Sequence, residues 1–274
     1  MTQYPYQDSD EDPLRQAFSQ SFFPPPAHRD CRALCYALNV AKTAPSSACR
    51  FMKTHQLAVL DRTSPVLPTH LLAVHDAPLS DPNALLILIP INIDTFSRKV
   101  RTDITNMRHN PVTRHVHVSS PASVGSSMPL PATVIVSVVP LQVPHAPSVP
   151  LLLLYALGVR TNPSAIATNL LPLSVAEEFP SAAAMAQAMA KQCDCDNAGI
   201  VADSGGNESS AQGAVGGWQL LDNFTVYNQG IWKNVLALGL QDSRVMSVIQ
   251  TVWNVTAESR KILARRRERQ GDRK

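Results

Sequence analysis

Charge is scarce in this sequence. Asp, Glu, Lys and Arg make up only 16% of the residues, where a soluble domain averages about 25%. That excludes a charge-rich disordered chain and a coiled coil. Glutamate is missing altogether between Asp12 and Ala176. Paired-carboxylate catalysis in that stretch would fall to Asp61, Asp76, Asp81, Asp94 and Asp103, and nothing around any of them singles it out. Aromatic residues are few, at 5%. None is interleaved with basic residues as a stacking surface for nucleic acid requires. There is no Gly-x-Ser-x-Gly elbow, no Gly-rich phosphate loop and no His-Glu-x-x-His. The expectation is therefore a protein that is not an enzyme and needs no cofactor. Long apolar runs are missing too. The best, at 134–143 and 149–159, are cut or flanked by Pro140, Pro144, Pro147 and Pro150. They fall short of the ~18–20 residues of a membrane span, so no membrane contact is expected.

The cysteines (Cys31, Cys35, Cys49, Cys193 and Cys195) form no regular framework. The first twelve residues are polar and acidic, where a secretory signal is basic and then apolar. Reduced thiols in the cytosol or nucleus are the expectation. Metal sites are weakly signalled. His115 and His117 share a face of a probable strand and Cys193 and Cys195 share a loop, but neither pair has identifiable further ligands. Cys31 and Cys35, one helical turn apart, read as small core residues.

What is present is a core and an uneven charge distribution. Hydrophobic residues reach 45%, enough to bury a sizeable interior. The stretch 260–274 carries eight basic residues and two acids, so the remainder has a net charge of −3. Between His115 and Ala176 the only formal charge is Arg160. The cluster Arg265, Arg266, Arg267 and Arg269 reads as a basic patch or nuclear-localisation signal. Its alternatives are direct contact with nucleic-acid phosphates and a solvated helix end.

Organisation follows from local pattern. Residues 1–29 read as a flexible acidic and proline-rich head, and Asp30 as the cap of a short helix. Short β-branched or leucine-rich runs at 57–60, 71–74, 85–89, 113–118 and 133–139 read as strands. Pro150 opens a helix that Gly158 closes. Shorter helices follow Pro163 and Pro180, the latter to about 192. Residues 193–217 read as a loop. A helix from about 225 closes at Gly239, and Asp242 caps a last helix that fades near 263 into a basic tail, 264–274. The fold class is α+β: a small, mainly antiparallel sheet with helices C-terminal to it. Residues 30–192 would be an interaction module, with a helical pair at 218–263 packed on it through Trp232 and Trp253.

Three stretches carry a resemblance. They are Leu67-Pro-Thr-His-Leu-Leu-Ala-Val74 with Ala84-Leu-Leu-Ile-Leu-Ile-Pro-Ile91; Val143-Pro-His-Ala-Pro-Ser-Val-Pro-Leu-Leu-Leu-Leu-Tyr-Ala-Leu-Gly158 continued by Asn162-Pro-Ser-Ala-Ile-Ala-Thr-Asn-Leu-Leu-Pro-Leu173; and Ile231-Trp-Lys-Asn-Val-Leu-Ala-Leu-Gly-Leu-Gln-Asp242 followed by Val252-Trp253. Together they resemble the clampless family of basidiomycete fungi, which regulates sexual development and clamp-cell formation downstream of mating-type homeodomain factors. The resemblance implies a nuclear or nuclear and cytoplasmic developmental regulator without catalytic residues. Its partners would be transcription factors of the mating pathway. Leu154, Tyr155, Trp232 and Trp253 are the structural or interaction residues it points to, and a homo-oligomer is compatible with it. At fold level, the proline-opened helix with its leucine–tyrosine pair is also similar to part of a BTB/POZ interaction domain. Two readings stay open beside it: a nucleic-acid binder using the basic end, and a small metal-dependent enzyme using His115, His117 and an aspartate.

Overall fold

The structure is a computed structural model and describes residues 27–42, 52–78, 80–81, 85–102, 104, 116–117, 132–202 and 217–271. The chain forms two compact units, each assembled from separated segments. One holds residues 26–163 with 229–249 and contains the sheet. The other holds 164–228 with 250–274, alongside 1–25, and its described part is helical.

In the sheet unit the strands are β1 (Thr54–Ala58), β2 (His70–His75), β3 (Ile87–Ile91), β4 (Val116–His117) and β5 (Thr133–Gln142). The order is β1-β5-β2-β3. β1 and β4 run antiparallel to β5, as β3 does to β2. β2 and β5 run parallel, with His70 opposite Ser137 and Val74 opposite Leu141. Ser137 is paired on both edges, with Thr54 on one and His70 on the other. The sheet is therefore mixed, not mainly antiparallel. The correction has a physical source. A parallel pair needs a long crossover, and here the chain between residues 75 and 133 supplies it.

Local chemistry explains the pairing. All five residues of β3 are buried, as are residues 71–75 of β2, consistent with near-continuous apolar runs. Pro90 sits in the edge strand, where a missing N–H is tolerated. Val138 N–H donates to Lys53 O on the β1 side. Two residues on, Pro140 faces that same side beyond the end of β1, so its lack of an N–H breaks no ladder bond. One apolar cluster joins Cys35, Val40, Leu57, Leu71, Leu88, Val134 and Val136.

Helix α1 (Ala27–Ala37) packs against β3 and against α3 (Val149–Ala156). Asp30 lies inside α1, buried, rather than at its cap. α1 ends in a Schellman turn. Asn39 takes φ +58°, Asn39 N–H donates to Tyr36 O, and Val40 N–H to Cys35 O. The Asn39 side chain then clamps Asp61, donating to its carbonyl at 2.6 Å and accepting from its N–H at 2.8 Å. Every residue of α3 is buried, as an all-round apolar helix must be. Gly158, at φ +74°, stops it. α2 (Ile93–Lys99) is capped by Asn92, whose Oδ1 accepts from the N–H groups of Asp94 and Thr95.

The helical unit contains α4 (Ala165–Leu170), α5 (Leu173–Ala176), α6 (Ala182–Ala202), the first half of α7 (Gly217–Leu238) and the second half of α8 (Ser243–Gly271). α6 buries Met185, Ala186, Met189, Ala190 and Cys193 as one stripe, and this stretch of α8 buries Val252, Val255, Ser259 and Leu263. Ser259 Oγ donates to Ala186 O at 3.1 Å, and Asn228 Nδ2 to Leu170 O at 3.1 Å. Three sequence expectations change here. Helix continues through residue 202 instead of giving way to a loop at 193. α7 starts at Gly217 rather than near 225. The basic tail is helical to Gly271.

Candidate interaction sites

The arginine cluster is the first site the sequence points to, and the helical unit divides it. Arg266 pairs with Asp194 of α6. Arg267 places its guanidinium 4.0 Å from the centre of the Trp218 ring on α7, a cation–π contact. About two turns earlier in α8, Arg260 reaches Asp222 of α7 at 3.0 Å. Arg265 and Arg269 are exposed, and neither is among the salt bridges of the described residues. The charge run is thus a helix end held at two points, with two of its four arginines turned to solvent.

The other residues singled out by sequence lie deeper. Leu154 and Tyr155 are in the core of the sheet unit, so their role is packing. Trp232 and Trp253 are half-buried. Cys31 and Cys35 are buried in α1. Burial pushes the Cys31 thiol up to about 12 and Cys35 to about 11, so both stay protonated and unreactive. Cys193 is buried in α6; the side chain of Cys195 lies outside the described residues. So do His115, Asp103 and the side chain of His117. His70 and His75 bound β2, and His75 Nδ1 lies 2.8 Å from Ala77 O. Asp61 is exposed and bound to the N–H and hydroxyl of Thr63, which hold its carboxyl below the usual range. Among the described residues no three His, Cys, Asp or Glu side chains converge as metal ligands would, and no helix is long and apolar enough to cross a membrane.

A buried polar cluster joins α7 to the turn before α3 in the sheet unit. Asn234 Nδ2 donates to His145 O at 2.6 Å and to Ser148 Oγ at 2.9 Å, while its Oδ1 accepts from His145 N–H at 3.1 Å. His145 Nδ1 lies 3.0 Å from Ser148 Oγ. The ring fits only because residue 230 is glycine: a Cβ there would stand 2.4 Å from His145 Cγ. Burial holds the imidazole below its ordinary value, partly opposed by Asp76. The Ser148 hydroxyl is wholly buried, so this Ser–His pair fixes a turn and offers no nucleophile.

Two surface concavities of the sheet unit were not legible in the sequence. One is apolar, about 330 Å³, and lined by Leu34, Leu38, Leu157, Val66 and Val159 among others. Val66 and Val159 are 48% and 39% exposed. The other, about 470 Å³, is lined by Arg98, Lys99, Gln241, Asp242 and Arg244. No protein-family model, curated protein or solved structure matches this chain.

Proposed function

We propose that this chain is a non-enzymatic developmental regulator that works through protein–protein contacts in the nucleus. In this reading it controls sexual development and clamp-cell formation downstream of mating-type homeodomain factors, as the clampless family does. The observation that carries the reading is the set of three apolar stretches described above. They supply β2, β3, α3 and α4, and the end of α7 with the start of α8. A likeness spread over buried elements is what a shared fold leaves, since core positions constrain sequence through packing. The apolar concavity beside Val66 and Val159 supports a partner-binding role, because exposed aliphatic residues around a groove favour docking.

Within this reading, α3 and the helix after it are the segment that would correspond to a BTB/POZ-like arrangement, and such an arrangement predicts a homodimer in light scattering. The basic helix end serves localisation through the solvent-facing Arg265 and Arg269. A fluorescent fusion of the full chain should concentrate in nuclei, and Arg265→Ala with Arg269→Ala should disperse it. Affinity purification from mating-competent cells should recover pathway transcription factors. A uniform cytoplasmic signal from the intact fusion, with no such factor recovered, would refute the reading.

A further inference from the structure

The second concavity of the sheet unit is built by two segments far apart in sequence. Residues 99–102 and 238–241 are zipped together by backbone. Gln241 N–H donates to Lys99 O at 2.9 Å, Arg101 N–H to Gly239 O at 3.1 Å, and Thr102 N–H to Leu238 O at 3.1 Å. Val100 and Leu240 form an antiparallel bridge. Both central residues are buried, so the joint is anchored in the interior. Its effect is to bring the C-terminal end of α2, with Arg98 and Lys99, to the first turn of α8, with Arg244.

All three cations are exposed. Among the described residues none of them has a salt-bridge partner. Arg98 leans on its own helix, donating to Asp94 O and Thr95 Oγ1. Arg244 is the more telling residue. A cation in the first turn of a 29-residue helix opposes the helix dipole, which favours acids there. Among the described residues the one carboxylate on the rim, Asp242, is occupied: its Oδ1 caps the N–H groups of Arg244 and Val245 at 3.0 and 3.2 Å. The helix end is therefore already satisfied, and any anion would be held by side chains. Among the described lining residues, three cations against one carboxylate leave a local charge of +2.

We propose that this concavity binds a phosphomonoester group. The charge of such a group, about −1.5 to −2 at pH 7, matches the rim. Its oxygens suit two guanidinium groups and an ammonium, with the Gln241 amide as a further donor. Among the described residues no aromatic or aliphatic side chain lines the concavity, so none of them would grip a base, a sugar face or a lipid tail. The phosphoryl group is the recognised unit, carried on a protein chain or free in solution. A nucleic acid is the less suited ligand. Its phosphodiesters carry one charge each and call for a basic track, whereas this is a single concave site.

The test is fluorescence anisotropy on the full chain. The probe is a labelled glycine-flanked phosphoserine peptide. Its unphosphorylated copy is the control, and inorganic phosphate and a duplex DNA fragment are competitors. The phosphorylated peptide should bind at least about tenfold more tightly than its copy, the loss that follows when charge-assisted contacts go unmade. The double variant Lys99→Gln, Arg244→Gln should abolish that preference. The charge-matched variant Lys53→Gln, Lys233→Gln, on exposed cations outside the concavity, should keep it. Near-native circular dichroism of both variants separates loss of the site from loss of the fold. Phosphate competing at the peptide's own affinity identifies a free anion as the source, and weaker competition identifies a chain-borne one. The proposal is overturned if neither phosphate probe binds, if both peptides bind alike, if the two double variants behave alike, or if DNA occupies these residues more tightly than either probe.

Discussion

The two units solve the same problem, holding polar groups on a small apolar core, in different ways. In the sheet unit the decisive polar contacts are neutral and buried or partly buried: Asn234 with His145 and Ser148, and the Asn39 amide with the Asp61 backbone. The helical unit has buried neutral contacts too, Ser259 with Ala186 and Asn228 with Leu170, and adds charged, largely exposed ones: Arg260 with Asp222, Arg266 with Asp194, and Arg267 on Trp218. All the salt bridges among the described residues lie in the helical unit. Buried neutral hydrogen bonds are costly to break and indifferent to salt. Exposed ion pairs are cheap to break and screened by it. The sheet unit should therefore be sensitive to single substitutions and the helical surface to solution conditions.

The largest effect tests the buried side of that contrast. Leu154 is wholly buried in α3, a helix with no exposed face. Leu154→Ala removes its transfer energy and leaves a cavity, a loss of about 2–5 kcal/mol. Urea unfolding should show the midpoint falling with the slope unchanged. A loss under about 1 kcal/mol would mean that α3 is not the packed centre described here.

Next comes the neutral clamp. Asn234→Ala leaves the His145 N–H without its acceptor and takes one of several partners from the Ser148 hydroxyl and the His145 carbonyl, for about 1–3 kcal/mol. Because the groups lie in the interior, the loss should be the same at low and high salt. A salt-dependent loss would erase the distinction between the units.

Much of this architecture is legible in sequence, and the rest fails for identifiable reasons. β-branched runs announce β5, and leucine-rich runs β2 and β3. Gly158 and Gly239 end their helices with φ of +74° and +62°, and Asp242 caps α8 as its position before an amphipathic stripe suggests. α2 goes unseen because seven residues are too few for a helical period to show. The stretch after Cys193 is polar and reads as loop, yet it continues a helix whose buried stripe is already set by Met185 and Met189. The parallel pairing of β2 with β5 is a non-local choice that no local pattern encodes. The same holds for the interaction sites. The arginine run is plain in sequence, but its partners Asp194 and Trp218 come from other helices. Arg98 and Arg244 meet only because the chain zips residues 99–102 to 238–241.

Acidification tests His145, a half-buried imidazole of the sheet unit. Burial depresses His145 from its ordinary value of 6.5, with Asp76 opposing. The folded state therefore resists the proton that the unfolded chain accepts. His145 is neutral in both states above 6.5, where its contribution to stability is full. As pH drops below that value the unfolded state gains protons first, and stability is lost until the folded value is reached. Unfolding midpoints should fall on that acid side, and His145→Asn should flatten this part of the decline. An unaltered pH profile in the variant would remove His145 as its source.

The smallest effect belongs to the charged helix end, and it is the sharpest check on the comparison because it should respond to salt where Asn234 does not. Arg266 and Asp194 each remain 44% exposed, so their pair contributes at most about 1 kcal/mol. Arg267 on Trp218 adds about 0.5–1 kcal/mol. Neither governs folding. Their visible consequence is local: they hold the last turns of α8 against α6 and α7. At 1 M salt the Debye length shrinks to about 3 Å, which weakens the ion pair more than the ring stacking. Hydrogen exchange over residues 264–271 should therefore accelerate with added salt, and accelerate further in Arg267→Ala. Exchange at residues 149–156 in α3 should stay unchanged under both treatments. Equal acceleration in the two segments would mean that charge holds the sheet unit as well, and the contrast drawn between the units would collapse.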